Sequence, residues 1–575
     1  MSRQALRTFD RKFLSRLDNS DSILCKRIND RFIHPDPFSP RAIQLIKHWM
    51  QKCKRKHSRC SISNASLPTR VIDVTSLTLR LVESKPTSTG TYAALSHCWG
   101  TCRSFLTTRF NLADRKSGFS IDDLPATFRN AVSVTKSLGI PYLWIDSICI
   151  LQGDKEDWEI EGSKMADVYS NAYLTIAAAN AAGDAEGFLK ARRPEKILSI
   201  DIRYASNEKS IDEREIRIYI QPRCQPTTVY EPLNGRAWCL QERCLSPRIL
   251  FFDTNALRWE CIEKGWFEAG RGFKRQRLIV QEVIPRLLYN GTTSYIGWYN
   301  MVENYTTRAI SYPSDKLPAL SALAAHAARE SNDKYFAGLW KGDLRRGLLW
   351  YRQVRRNFRA HEPSKPFEDV RKLLDTATAP SWSWASFQSA IHFAVMEPSS
   401  IDLEVLSCTN VIDVSVIVPG KNPYGEVASG YLIISAPLIS FATDIGWDTT
   451  GVSEIAVNRA WEHNVLLCPE LEEIDIGVQS SFDHPAEIRC EVFGLPLTFS
   501  VDTAGNFYEE GNHIGGIKGD GEEWKIVHGI ILCRKDDGGD GDCYMRVGCF
   551  KIHPIRLPDF MARVNHMPRR MVKIV

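Results

Sequence analysis

No apolar run in this chain is long enough to cross a bilayer. A spanning helix needs about 18 consecutive apolar residues, and none of the 575 positions begins such a stretch. The first residues, MSRQALRTFDRKFLSRLDNSD, alternate charged and apolar side chains and lack the apolar centre of a secretory signal. Also missing are a Walker phosphate loop, a G-x-S-x-G elbow, an H-E-x-x-H pair and a Rossmann glycine set. These absences set aside P-loop NTPases, α/β-hydrolases, zincin-type proteases and dinucleotide dehydrogenases. The sixteen cysteines are scattered without a regular framework, which suits reduced thiols better than a disulfide scaffold. The expectation is a cytoplasmic chain with no membrane span.

What is present describes a folded protein of several domains. At 575 residues the chain exceeds what one core accommodates, and two to four domains are expected. The net charge of +5 hides an asymmetry. Residues 1–60 carry fifteen Lys/Arg against five Asp, a local +10, and residues 551–575 carry six against Asp559, a local +5. The intervening chain is therefore acidic. The basic stretch KCKRKHSR (52–59) could meet nucleic acid, but no recognition motif accompanies it. A solvated helix end is the better reading, and nucleic acid is the weakest of the partner readings.

Along the chain, residues 1–70 read as helical and then loop-like, broken by Pro35, Pro37 and Pro40. A helix is expected in RAIQLIKHWMQKC, where Ile43, Ile46, Trp49 and Met50 share one face. Residues 71–270 alternate strands and helices. TYAALSHCWG (91–100), YLWIDSICI (142–150) and AYLTIAAANA (172–181) read as buried strands. Residues 124–138 have helical spacing, with Pro125 in the first turn and Gly139 just beyond. A helix opening in GDKEDWEIEG places Trp158, Met165, Val168 and Tyr169 on one face. Such alternation of continuous apolar strands with helices predicts an α/β fold with a parallel sheet covered on both sides. Residues 271–390 read as a helical extension ending in SWSWASF (381–387), and residues 391–575 as a β-rich region. DDGGDGD (536–542) reads as a hairpin turn.

Three groups stand out chemically. Asp146 interrupts a nine-residue apolar run, and a buried carboxylate needs a partner or a task. At the carboxyl end of a parallel strand it would face the crevice where ligands bind such sheets; capping or pairing with a backbone amide in the next loop is the even alternative. Glu242 lies four residues after Trp238, on one helical face. Apolar cover would raise its pKa and suit it to catalysis, whereas a surface pair with Arg236 or Arg243 would make it structural. Finally, Cys53-x3-His57-x2-Cys60 has metal-like spacing but only three ligands, and Cys25 is a candidate fourth. Ordinary packing of these cysteines is the favoured reading, so no metal is assigned.

In order, the motifs YAALSHCWG, LWIDSICILQGDKEDWEIEGSKMADVYSNAYLTIAAAN and GRAWCLQERCLSPRILFF closely resemble the heterokaryon incompatibility (HET) domain of filamentous fungi, over about residues 92–245. DKLPALSALA, YFAGLWKGDL and APSWSWASF resemble segments that recur downstream in long HET-domain proteins. The resemblance implies non-self recognition between fungal individuals and regulated cell death. It also implies a flavodoxin-like fold distantly related to the TIR domain, some members of which cleave NAD+ with a glutamate on a late helix. Carried over residue by residue, it makes Glu242 and Asp146 the candidate catalytic residues. Ser96, Trp99, Gly100, Gln152 and Trp238 become candidate binding residues, with NAD+ as a candidate substrate and no cofactor required. The alternative is a signalling or self-association module that meets protein partners and uses the same residues structurally.

Overall fold

The three strands Tyr92–Ser96, Leu174–Ala177 and Arg248–Phe252 are buried at every position, which requires cover on both faces of the sheet that holds them. This computed structural model describes residues 13–17, 33–60, 65–101, 105–192, 198–205, 213–222, 231–269, 272–274, 294–352, 378–394, 404–441, 464–465, 477–482, 492–501, 507–509, 512–514, 524–535 and 543–575. They fall into two compact units, Met1–Glu282 and Val283–Val575. Among the described residues, no helix is long and apolar enough to cross a membrane.

The first unit is built on a mixed, nine-stranded sheet. Its strands are β1 (Arg70–Asp73), β2 (Arg80–Glu83), β3 (Tyr92–Ser96), β4 (Tyr142–Trp144), β5 (Leu174–Ala177), β6 (Arg248–Phe252), β7 (Leu257–Cys261), β8 (Lys264–Phe267) and β9 (Gly272–Lys274). Their spatial order is β9-β8-β7-β6-β5-β3-β4-β1-β2. Only the central four are parallel: β3 pairs with β4 and β5, and β5 with β6. In chain order this parallel core runs 2-1-3-4, the order of flavodoxin-like doubly wound sheets, whose ligand crevice lies where the winding reverses. Here that point is between β3 and β5. The expected α/β class is found, with antiparallel strands added at both edges.

The helices follow the sequence signals with instructive departures. α1 (Pro40–Lys56) buries Ala42, Ile46, Trp49, Met50 and Cys53, and the Ser39 hydroxyl accepts from the Ala42 amide at its start. α2 (Ala126–Ser137) begins after Pro125 and buries Phe128, Ala131, Val132 and Thr135. The next residues, Leu138 and Gly139, leave the helix, and Gly139 takes φ +73°. YLWIDSICI is not one strand: β4 stops at Trp144, and Asp146 opens a single buried turn, α3 (Asp146–Cys149). The proposed helix through Trp158 and Tyr169 is two helices, α4 (Lys155–Ser163) and α5 (Met165–Asn171), meeting at Lys164. Trp158 therefore does not share the buried face of Met165, Val168 and Tyr169. Finally α6 (Trp238–Leu245) leads into β6. The N-terminal segment departs from helix at Phe13–Leu17, a strand that pairs with Glu213–Pro222 in a separate three-stranded sheet.

The second unit begins, among described residues, with helices Ser294–Thr306 and Ser321–Ser331. Trp298, Val302 and Tyr305, four and three residues apart, are buried on one face of the first. In SWSWASF, Trp382 and Trp384 are wholly buried around a short 3-10 turn at Trp384–Ser386. The Gly338 carbonyl accepts both the Trp298 and the Trp384 indole N–H, at 2.9 and 3.1 Å. Beyond it comes the expected β-rich region, a ten-stranded sheet that includes Asn410–Ile417, Ser429–Pro437 and Trp524–Arg534. The segment 536–542 lies outside the described residues.

Candidate functional site

The carboxyl ends of β3, β4 and β5 and the start of α6 place six polar or charged side chains together. Because β3 ends at Ser96 and β4 at Trp144, the residues that follow each strand emerge on the same edge of the sheet. Ser96 and His97 leave β3; Asp146 follows β4; Asp184 follows β5 by a short loop. Arg236 and Glu242 arrive from the turn before α6 and from α6 itself.

Asp146 is the centre of this group and is 7% exposed. Its Oδ2 accepts the Trp99 indole N–H at 2.7 Å, and its Oδ1 accepts the Ser147 amide at 2.8 Å. The Arg236 guanidinium stands 3.9 Å from Oδ2, and His97 Nε2 is 3.8 Å from Oδ1. His97 Nε2 is nearer to Asp184 Oδ1, at 3.1 Å, but neither approach is aligned as a hydrogen bond. The imidazole packs edge-on against Phe128, centroids 5.2 Å apart.

Arg236 ties the cluster to its rim. Its guanidinium donates to the His97 carbonyl and lies over the Trp99 ring, 5.5 Å from the centroid. Glu242 lies on the buried side and is 3% exposed. Burial pushes its carboxyl above the usual carboxylate range, while the Arg236 guanidinium and the Ser96 hydroxyl pull it back and Asp146 pushes it up further. Its Oε2 has no hydrogen-bond partner among the described residues. Burial likewise raises Asp184, against the pull of His97. Both neighbouring thiols stay protonated: burial pushes Cys98 up to about 11 and Cys239 well above its ordinary value.

Two loops crossing over the β3–β5 switch point frame the crevice. Gly100 takes φ +70°, and a Cβ there would lie 2.8 Å from the Gly183 Cα. The Thr127 amide donates to the Asp184 carbonyl at 2.9 Å and the Thr127 hydroxyl to the Gly183 carbonyl at 3.0 Å, so α2 fixes the loop that carries Asp184.

The sequence-derived residues thus divide. Ser96, Trp99, Asp146 and Glu242 stand in one cluster, with Gly100 in its framing loop. Asp146 follows the end of β4 and accepts a local backbone amide, as the structural reading of it expects. The Gln152 side chain donates to the main-chain carbonyls of Ile150 and Asp146, at 3.1 and 3.4 Å, and so holds the loop after Asp146. Trp238 is half-buried and packs edge-on against Trp158, centroids 6.0 Å apart. Glu242 is no surface partner of Arg243, which reaches Glu260 at 2.8 Å. Three residues escaped the sequence reading as site members: His97, Asp184 and, except as a surface partner, Arg236. His97 directly follows β3 and Arg236 lies two residues before α6, whereas Asp184 is seven residues beyond β5. Cys53, His57 and Cys60 lie apart from this cluster, in a buried group with Cys261.

A carboxylate raised by burial beside a fixed guanidinium can accept a proton or stabilise developing positive charge. Compared with known proteins, residues 92–242 match the family model described as heterokaryon incompatibility protein (HET). No curated protein and no solved structure matches the chain.

Proposed function

We propose that this chain, whose residues 92–242 match the heterokaryon incompatibility family model, has an incompatibility-type function, and that the domain triggers regulated cell death by cleaving the nicotinamide–ribose bond of NAD+, with Glu242 as the reacting carboxylate. The observation that carries the reading is Glu242 Oε2, a buried acceptor without a hydrogen bond among the described residues, beside Arg236. Leaving such an atom unsatisfied costs about 1–3 kcal/mol, and strain of this kind concentrates where chemistry needs it. The parallel-strand order is that of flavodoxin-like sheets, as expected for a TIR relative, which supports a ligand site at the switch point.

The chemistry balances without an added cofactor. The ribose C1′–nitrogen bond breaks and nicotinamide leaves as a neutral base with the bonding pair. The cationic ribose that remains is stabilised by the Glu242 carboxylate. Water then adds to C1′ and passes its proton to Glu242, giving ADP-ribose. Trp99 supplies an aromatic face at the rim, and Arg236 a cation for the pyrophosphate. Glu242 is nearly inaccessible, so Arg236 and Trp99 must shift before a nucleotide reaches it. That requirement suits a domain held inactive until partners or self-association rearrange it.

The test is NAD+ turnover by the purified full-length protein, dilute and forcibly clustered, beside Glu242→Gln. Turnover on clustering that disappears in the variant is the expected result. Equal turnover by both proteins removes Glu242 from the chemistry. No turnover under clustering favours the second reading, an interaction module in which these residues are structural. That reading has its own support: both Asp146 carboxylate oxygens already accept protein donors.

A further inference from the structure

We propose that Cys53, His57, Cys60 and Cys261 bind a structural zinc ion that joins α1 to the β7–β8 turn. All four residues are buried, and one ligand atom from each lies within 4.8 Å of the other three. His57 Nδ1 lies 3.2 Å from Cys261 Sγ. Tetrahedral zinc has Zn–S near 2.3 Å and Zn–N near 2.0–2.1 Å, which sets neighbouring ligand atoms roughly 3.4–3.8 Å apart. The His57–Cys261 separation is slightly shorter than that spacing, and the 4.8 Å bound on the cluster is about 1 Å wider, so a small inward shift of the side chains would complete the tetrahedron.

Local structure explains how the ligands converge. Cys53 lies in the last turn of α1, and His57, the residue that ends it, donates its amide to the Cys53 carbonyl at 3.0 Å. The chain then turns through Ser58–Cys60, so three ligands come from one helix end. The fourth comes from two hundred residues away in sequence. Cys261 ends β7, and the tight turn to β8 aims the Lys264 amide at its sulfur, 3.4 Å away. A backbone N–H directed at sulfur supports a thiolate, as outer-shell donors do in metal sites. The two segments are also cross-linked beside the cluster: the Arg59 amide donates to Glu263 Oε1 at 3.1 Å, and Arg248 donates to the Cys60 carbonyl. The His57 ring is stacked on Trp266, centroids 5.5 Å apart and 18° from parallel, which fixes the imidazole plane.

Packing alone explains this poorly. Small apolar side chains would fill the space without gathering three thiols around one imidazole, and thiols are weak hydrogen-bonding groups. Cys53, Cys60 and Cys261 are free thiols, so no disulfide accounts for the group. A ligand set of three sulfurs and one nitrogen, with no oxygen donor, selects zinc over magnesium or calcium. Four protein ligands complete the tetrahedron and leave no position for substrate, which makes the site structural. The fourth ligand is Cys261; Cys25, the sequence-based candidate, lies outside the described residues.

The ligands also bracket the family-matched span: 53–60 precede residues 92–242 and Cys261 follows them. Zinc would therefore close a ring around the whole domain, whose working boundary extends to at least 53–261.

The experiment is metal analysis of the full-length protein, purified without added chelator, followed by exchange with cobalt(II). The expected result is about one zinc per chain, and a cobalt form with the thiolate charge-transfer and d–d bands of a tetrahedral site. Cys261→Ser should lose the metal, His57→Cys should keep it with a spectrum shifted toward four thiolates, and Cys25→Ser should be unaffected. If Cys261→Ser fails to fold, the wild-type cobalt spectrum and His57→Cys still decide. A folded wild-type protein with neither stoichiometric zinc nor a tetrahedral cobalt spectrum overturns the proposal, and metal loss in Cys25→Ser overturns this ligand set.

Discussion

The Trp99 indole N–H donates to Asp146 Oδ2 at 2.7 Å, joining the residue three positions beyond β3 to the first residue of the turn after β4. With the Ser147 amide on Oδ1, this bond answers why an aspartate interrupts an otherwise apolar run. The carboxylate is the junction at which two neighbouring strand ends are fastened.

Asp146→Asn should therefore destabilise the first unit by about 2 kcal/mol. Both carboxylate oxygens now accept from donors. An amide offers one oxygen and presents its own N–H2 to the Trp99 indole or the Ser147 amide, whichever it faces, while Arg236 and His97 lose a nearby charge. Urea denaturation followed by tryptophan fluorescence measures the change; a midpoint equal to that of wild type would show that neither bond matters.

Glu242→Gln should gain stability relative to wild type as pH rises. The folded carboxyl is raised above its ordinary value of 4.5, mainly by burial. Folding then favours the protonated form, a contribution present below pH 4.5 and lost as pH climbs through the folded pKa. Glutamine does not titrate, so its relative advantage should appear over that interval and stay constant above it. Melting temperatures near pH 4.5 and at mildly alkaline pH compare the two. A variant that instead loses ground at the higher pH would identify the Glu242–Arg236 pair as a net stabilising one.

In the second unit, Lys316 is buried, donates to the Phe387 carbonyl and lies 5.7 Å from the Trp384 ring centre. Burial lowers its pKa from 10.5 to about 7. Folding thus favours the neutral amine, and wild-type stability should rise as pH increases from about 7 to 10.5. Lys316→Met removes that rise: its advantage is largest near pH 7 and shrinks toward pH 10.5. Thermal melts across this window test the sign, and parallel curves for the two proteins would refute it.

Much of the first unit could be read from residues alone, because its parallel strands are continuous apolar runs and α2 carries both its proline start and its glycine stop. Legibility failed where burial erased periodicity. In YLWIDSICI a buried strand and a buried helical turn look alike, so the boundary at Ile145 was invisible. The break at Lys164 was equally hidden, since α4 and α5 follow one another directly. Within the site, Glu242 and Asp146 drew attention because carboxylates are conspicuous in apolar surroundings. His97 and Asp184 did not, since each lies in a short polar loop where such residues are commonplace. Cys261 could not be paired with Cys53-x3-His57-x2-Cys60 by any local rule; only the antiparallel edge of the sheet brings it there.

Gly100 and Gly183 meet main chain against main chain, so the two loops that carry Trp99 and Asp184 approach each other with no side chain between them. Loop spacing and side-chain chemistry are thereby uncoupled: neighbouring side chains can be exchanged without spreading the two loops, so long as both glycines remain. Variation around Trp99 and Asp184 is thus free to change surface chemistry while the backbone geometry between the loops stays the same.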